Sequence, residues 1–238
     1  MSANYNIQMD NGDEITAKDL KAIIFDFDGT LVDSEPAWKS TFHELFADRY
    51  NVELSDEILW ENTGNGVEFS VANISNAYQL NMDESEINKM TIDLHQEMHR
   101  LILEELPLRN GAIELFQWAN EASVDMAICT ASTDEMIDGY LSRLGIRNFF
   151  KEVTSTAISD VDKRKPHPYP YLETMKKLGV KASETLAIED SPSGVTSSVA
   201  AGIKTIAIHN PFIEEKVLQA RPTLQVKDFL QVLELLAS

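Results

Sequence analysis

Asp26 and Asp28 stand two residues apart in the stretch AIIFDFDGTLVDSE, straight after a run of strand-forming apolar residues. A second acidic pair, Glu189 and Asp190, closes the similar run TLAIED. If the two runs are neighbouring strands, four carboxylates converge on one spot. Unpaired, such a cluster is costly and raises at least one carboxyl pKa. A hard divalent cation resolves the conflict, and Mg²⁺ suits it: it takes oxygen ligands, keeps several waters and commonly pairs carboxylates with a substrate phosphate. One acid alone would read as a helix cap or a solvated loop residue. Two pairs, each at the end of a short apolar run, call for a cation. Thr130, ending VDMAICT, offers a hydroxyl to a phosphate oxygen, although the same hydroxyl could cap the helix that follows. Lys165, in KRKPHPYPY, is a cation in a chain short of them. Pro166 and the alternate prolines after it are expected to hold this lysine in an extended, stiff segment. The competing reading is a solvated basic loop, since Lys163 and Arg164 adjoin it.

These residues need a scaffold that brings strand ends together. KAIIFDF (21–27), VDMAICT (124–130), TLAIED (185–190) and KTIAIHN (204–210) read as buried parallel strands, with FKEVTST (150–156) as a weaker fifth. Between them lie helical patterns. One starts at the capping residue Thr133 and stops at Gly145; another ends at Gly179. Alternating strands and helices predict an α/β fold with a doubly wound, mostly parallel sheet. In such sheets ligands sit at the carboxyl ends of the strands. Residues 34–105 interrupt the alternation. Trp38, Phe42, Leu45 and Phe46 recur at helical spacing, as do Ile87, Met90, Leu94, Met98, Leu101 and Ile102. This predicts an inserted helical module with its own core, returning near LPLRNG. The division is therefore a lead-in at 1–20, an α/β core at 21–33 and 106–238, and a helical cap at 34–105. DNGDE (10–14) could turn a small hairpin in the lead-in, or the segment could fray.

The 238 residues carry a formal charge of −19, which disfavours nucleic acid and anionic membrane as partners. No run approaches a membrane span, and the polar start lacks a secretory pattern. A single cysteine, Cys129, allows no internal disulfide, so a reduced cytoplasmic setting is the expectation. The expected partner is a small-molecule phosphate ester. The expected assembly is a monomer or weak homodimer.

DFDGTLVDSE, ICTAS, KPHPYPY and IEDSPSG occur in this order at suitable separations. Together they resemble the four motifs of the haloacid dehalogenase-like hydrolase superfamily, in its phosphatase and β-phosphoglucomutase-like branch with a helical cap. DSEPAW, NTGNG and KPHPYPY are similar to the sugar-phosphate phosphatases of that branch. The resemblance runs from about Lys21 to the C-terminus and implies a Rossmann-like core. It implies that Asp26 is the nucleophile, forming an aspartyl-phosphate, and that Asp28 is the proton donor and then the base for water. It implies Mg²⁺ held by Asp26, the Asp28 backbone carbonyl, Glu189 and Asp190. Thr130, Ala131, Ser132 and Lys165 would hold the phosphate, with Gly29 making the tight turn and Thr30 orienting the loop. The acid at position 28 favours phosphate esters over dehalogenation.

Specificity is expected from the cap. It holds four basic residues, Lys39, Arg49, Lys89 and Arg100, against fifteen acids. Such a cap suits a neutral, hydroxyl-rich leaving group, hence a sugar or polyol monophosphate. The alternative is a phosphosugar mutase, whose cap loop usually carries an arginine where this chain has Val67 and Glu68. A phosphonate hydrolase would use a cap lysine as a Schiff base, and only Lys39 lies in the first cap helix. A non-enzymatic binding protein is the third possibility, and it would leave the catalytic set incomplete. Gly64, Asn65 and Gly66 are expected to form a loop closing over the site, with Glu35 and Trp38 at its entrance or, for Trp38, in packing. His95 and His99 have a zinc-capable spacing, but HQEMH lacks the metalloprotease glutamate, so a solvated helix face is the expectation. His167 is expected to decorate its loop.

Overall fold

The structure is a computed structural model that describes residues 19–62, 67–156, 161–210 and 214–237. In chain order its elements are β1 (Ala22–Phe25), α1 (Glu35–Tyr50), α2 (Asp56–Asn62), α3 (Val67–Ala77), α4 (Glu84–Glu104), α5 (Ala112–Glu121), β2 (Asp125–Thr130) and α6 (Asp134–Arg143). There follow β3 (Phe150–Ser155), α7 (Tyr169–Leu178), β4 (Thr185–Glu189), α8 (Pro192–Ala200), β5 (Lys204–Ile208), α9 (Glu214–Gln219), β6 (Leu224–Val226) and α10 (Phe229–Leu236).

The strands form one parallel sheet in the order β3-β2-β1-β4-β5-β6. The fold is α/β and doubly wound, as the alternation predicts. β1 lies between β2 and β4, with Phe25 in register with Ile128 on one side and Ile188 on the other. Chain connections run away from β1 in opposite directions, which opens a crevice at its carboxyl end.

Strand period sorts side chains by size. One face carries Ile23, Phe25, Met126, Ile128, Leu186, Ile188, Ile206 and Ile208, packed with the apolar stripes of α5, α6 and α10. The other carries Ala22, Ala127 and Ala187 around Ile24, against Tyr171, Met175 and Leu178 of α7. Alternation puts bulk on the first face and lets α7 approach the backbone on the second.

The inserted helices α1 to α4 form a second cluster around Phe42, Phe46, Ile74, Met90 and Leu94. The stripe expected to stay within this module divides. Ile87, Met90 and Leu94 pack in it, whereas Met98, Leu101 and Ile102 join the main core. At about 1.5 Å per residue, α4 is longer than the small cap core it would have to cover, so its last turns run on to the α/β layer. Trp38 touches both clusters. The sixth strand, β6, has no counterpart in the sequence reading. It is three residues long with only Val226 buried, too short for a periodic signal. The prolines after Lys165 do not make an extended segment throughout: Pro170 sits in the first turn of α7, where a missing N–H costs nothing. The suggested N-terminal hairpin lies outside the described residues.

Candidate active site

The sheet register settles how the two acidic pairs meet. Because β1 and β4 are adjacent, Asp26 emerges beside Glu189 and Asp190, and their carboxylate oxygens lie within 4.8 Å of one another. All three are buried, Glu189 completely. Asp28 does not join them. Its carboxylate accepts a 2.5 Å bond from the Ser132 hydroxyl at the end of β2. The convergence of four carboxylates is thus corrected to three plus one. Asp28 follows the strand by two residues, and the intervening turn carries its side chain towards β2.

Local sequence explains the close packing. Gly29 has φ +77°, and a Cβ there would fall 2.1 Å from Asp190 Oδ2. Only glycine permits both the backbone conformation and the approach. Asp190 is further fixed by the Thr30 hydroxyl and the Asn210 amide, each donating at 3.2 Å. Gly194, in the first turns of α8, lies against Glu189; a Cβ there would stand 2.0 Å from its carboxylate.

Lys165 is the cation of the site. Its Nζ donates to Asp26 Oδ1 and to Glu189 Oε1, both at 2.6 Å, and to the Cys129 carbonyl at 2.9 Å. Its side chain is 8 % exposed. The solvated-loop reading of Lys165 therefore fails. Tyr171 completes the grip. Its hydroxyl donates to Glu189 Oε1 at 2.6 Å, and Lys165 Nζ lies 5.2 Å from its ring centroid.

Three acids facing one ammonium leave the site electron-rich. Burial and the neighbouring Glu189 push the Asp26 carboxyl up to about 7, although Lys165 pulls the other way. Asp190 is raised well above the usual range by burial, Asp26 and Glu189. Burial also raises Asp28, against the Ser132 bond and the Lys165 charge. Burial opposes a charged Lys165, but Asp26 and Glu189 outweigh it and hold the ammonium protonated. The Cys129 thiol, buried under the site, is pushed up to about 12 and is inert.

The remaining expected residues are placed as follows. Thr130 is buried, and its hydroxyl accepts from the Ser132 N–H at 2.9 Å. It does not cap α6; Thr133 does, accepting from the Met136 N–H at 3.3 Å. Ala131 is exposed at the mouth. Glu35, in the first turn of α1, is pushed up to about 7 by burial and by Asp33 and Asp28, against Arg109. Gly64 and Asn65 lie outside the described residues. Lys39 is tied to Asp56 at 2.7 Å, within the cap. His95 packs edge-on against Trp38, and burial lowers its pKa; neither it nor His99 joins a metal-binding group among the described residues. Tyr171, Asn210, Gly194 and Arg109 were not singled out in the sequence. Gly194 and Tyr171 close the motifs IEDSPSG and KPHPYPY, so each left a usable signal; Asn210 and Arg109 left none.

Residues 23–208 match the haloacid dehalogenase-like hydrolase family. The chain belongs to that family. It is 32% identical over 211 residues to the plasmid CbbY protein of Cupriavidus necator, covering 81% of this chain and 80% of that protein. It is 27% identical over 193 residues to a phosphoglycolate phosphatase of Pseudomonas fluorescens, covering 79% and 69% of the two. The crystal structure of a CbbY mutant from Rhodobacter sphaeroides, in complex with xylulose-(1,5)bisphosphate, shares the fold with a TM-score of 0.70 at 22% identity, covering 88% of this chain and 95% of that one. Among the described residues no helix is long and apolar enough to cross a membrane.

Proposed function

We propose that this phosphatase hydrolyses a small sugar or polyol monophosphate, with Asp26 as nucleophile, in a Mg²⁺-dependent reaction. The observation that carries the reading is the meeting of Asp26 with Lys165, Glu189 and Asp190 at the carboxyl end of β1, with Asp28 one step outward.

The residues fit a divalent cation. Three buried carboxylates within 4.8 Å offer hard oxygen donors, and burial together with the neighbouring acids raises the Asp26 and Asp190 carboxyls, so the fully ionised cluster calls for more positive charge than one ammonium supplies. Asp26, Glu189, Asp190 and the Asp28 backbone carbonyl would hold it. When bound, Mg²⁺ supplies positive charge to the carboxylates and to the phosphoryl oxygens.

The side chains divide the chemistry. An Asp26 carboxylate oxygen bonds to phosphorus while the bond from phosphorus to the leaving oxygen breaks. Protonated Asp28 gives its proton to that oxygen. Asp28, now a carboxylate, takes a proton from water, whose oxygen attacks phosphorus and displaces Asp26. Lys165 and the Thr130 hydroxyl bind non-bridging oxygens, and Ser132 orients Asp28. The ammonium is placed where charge moves during transfer.

Residues 34–105 act as the cap that selects the leaving group. Three of its four cations are engaged elsewhere: Lys39 with Asp56, Arg49 with Asp93, and Arg100 with Glu97, Glu104 and Glu105. Lys89 is exposed on α4. Val67 packs on the cap core and Glu68 is exposed, where a mutase would carry its arginine. These pairings support a neutral leaving group. The test is phosphate release from sugar and polyol monophosphates, phosphoglycolate and a sugar bisphosphate, with and without Mg²⁺. Preferred turnover of the neutral monophosphates supports the reading. Preference for the doubly anionic esters, or undiminished turnover by Asp26→Asn, overturns it. Accumulation of an isomeric sugar phosphate without free phosphate would make the enzyme a mutase.

A further inference from the structure

Arg109 lies outside the four motifs, on the return segment from the cap, yet it reaches the catalytic turn. Its Nη2 donates to the Gly29 carbonyl at 2.6 Å and to Asp33 Oδ1 at 3.0 Å. Its backbone N–H donates to the Leu31 carbonyl at 2.8 Å, and the adjoining Leu108 bridges to Val32. The arginine side chain is only 13 % exposed, and its Nε is buried with no hydrogen-bond partner. Burying a guanidinium this far is expensive unless its bonds matter. The carbonyl it grips belongs to the one residue of the turn with φ +77°, where the backbone has most freedom to move. That turn carries Asp28 on one side of Gly29 and Thr30, which holds Asp190, on the other.

We propose that Arg109 is a positioning residue for the phosphatase reaction: through the Gly29 carbonyl it fixes the turn that aims Asp28 at the leaving oxygen, and through Asp33 it locks that turn to both cap linkers. The inference rests on the reading of Asp28 as proton donor. Both bonds leave the single nitrogen Nη2; a lysine would retain charge near Asp33, but its Nζ stands one bond closer to the backbone and would fall short of the two acceptors that Nη2 reaches together. Losing the bond to Gly29 lets the turn shift and spoils the alignment of Asp28.

The test measures leaving-group release in the first turnover for wild type, Arg109→Ala, Arg109→Lys and Asp28→Asn, with Mg²⁺ present, on a sugar phosphate and on p-nitrophenyl phosphate. The sugar alkoxide needs a proton; p-nitrophenolate leaves without one. Both Arg109 variants are expected to lose on the order of 10- to 100-fold on the sugar phosphate, with KM little changed, and much less on p-nitrophenyl phosphate. Added ethylguanidinium should restore part of the Arg109→Ala rate. Equal losses on the two substrates, or wild-type rates in Arg109→Lys, overturn the proposal. If Arg109→Ala does not fold, the lysine variant alone decides. Should Asp28→Asn keep full activity on the sugar phosphate, the reading of Asp28 itself is wrong, a result separate from failure of Arg109.

Discussion

The strand-end site and the cap are both rich in acids, yet they handle them in opposite ways. In the cap, cations and acids meet at the surface: Arg100 is shared by three glutamates, and water screens the remainder. At the strand ends one buried ammonium faces three buried carboxylates, and burial, with the mutual repulsion of the acids second to it, raises the Asp26 and Asp190 carboxyls. An excess of acid is therefore informative only where water is absent. The −19 charge of the whole chain says little about chemistry; the local imbalance at β1 and β4 says a great deal.

This contrast can be broken most severely by Asp26→Asn. The amide cannot attack phosphorus, and phosphate release is expected to fall by at least about 1000-fold in a steady-state assay. Gly194→Ala comes next. Its methyl would displace the Glu189 carboxylate, and Mg²⁺ affinity, read by titration calorimetry, should weaken about 10-fold or more. Glycine's helix penalty works the other way, so the thermal midpoint should suffer less than the affinity.

A pH series sharpens the comparison. The folded pKa of Asp26 is raised from 3.8 to about 7, so without metal its contribution to stability is full below about 4 and is lost as pH rises through 7. Mg²⁺ must displace those protons. Its stabilisation, followed as a shift in thermal midpoint, should be slight at pH 5 and grow towards pH 8. A flat response would mean that the buried acids do not bind the ion. At the small end, Lys39→Ala and Arg100→Ala should leave the thermal midpoint almost unchanged, since exposed ion pairs contribute little.

What could be read in the sequence follows the same division. Asp26, Glu189, Asp190 and Thr130 were legible because each ends an apolar run, and parallel strands in level register bring those ends to one edge of the sheet. Lys165 was legible as a cation held by Pro166, but not as a bridge between two acids. The turning of Asp28 to Ser132 depends on the course of the backbone after β1, which the two-residue spacing does not encode. Tyr171 looked like an ordinary helix residue, and Asn210 like the end of a strand. Their roles arise from distances across the fold, 2.6 Å and 3.2 Å to the acids they hold. β6 escaped because three residues carry no period, and the split of the α4 stripe because amphipathicity does not say which core a helix serves.

The alanines flanking Ile24 carry a last consequence, for which substitutions the enzyme can accept. Ala127 and Ala187 share one buried cluster with Tyr171, whose hydroxyl donates to Glu189 beside Lys165. An added methyl group on either alanine would crowd that cluster, and any displacement of Tyr171 would be passed through Glu189 to the ammonium. Inactivating alleles should therefore gather at two positions that bear no functional group at all, and selection would guard their smallness as strictly as it guards a charge.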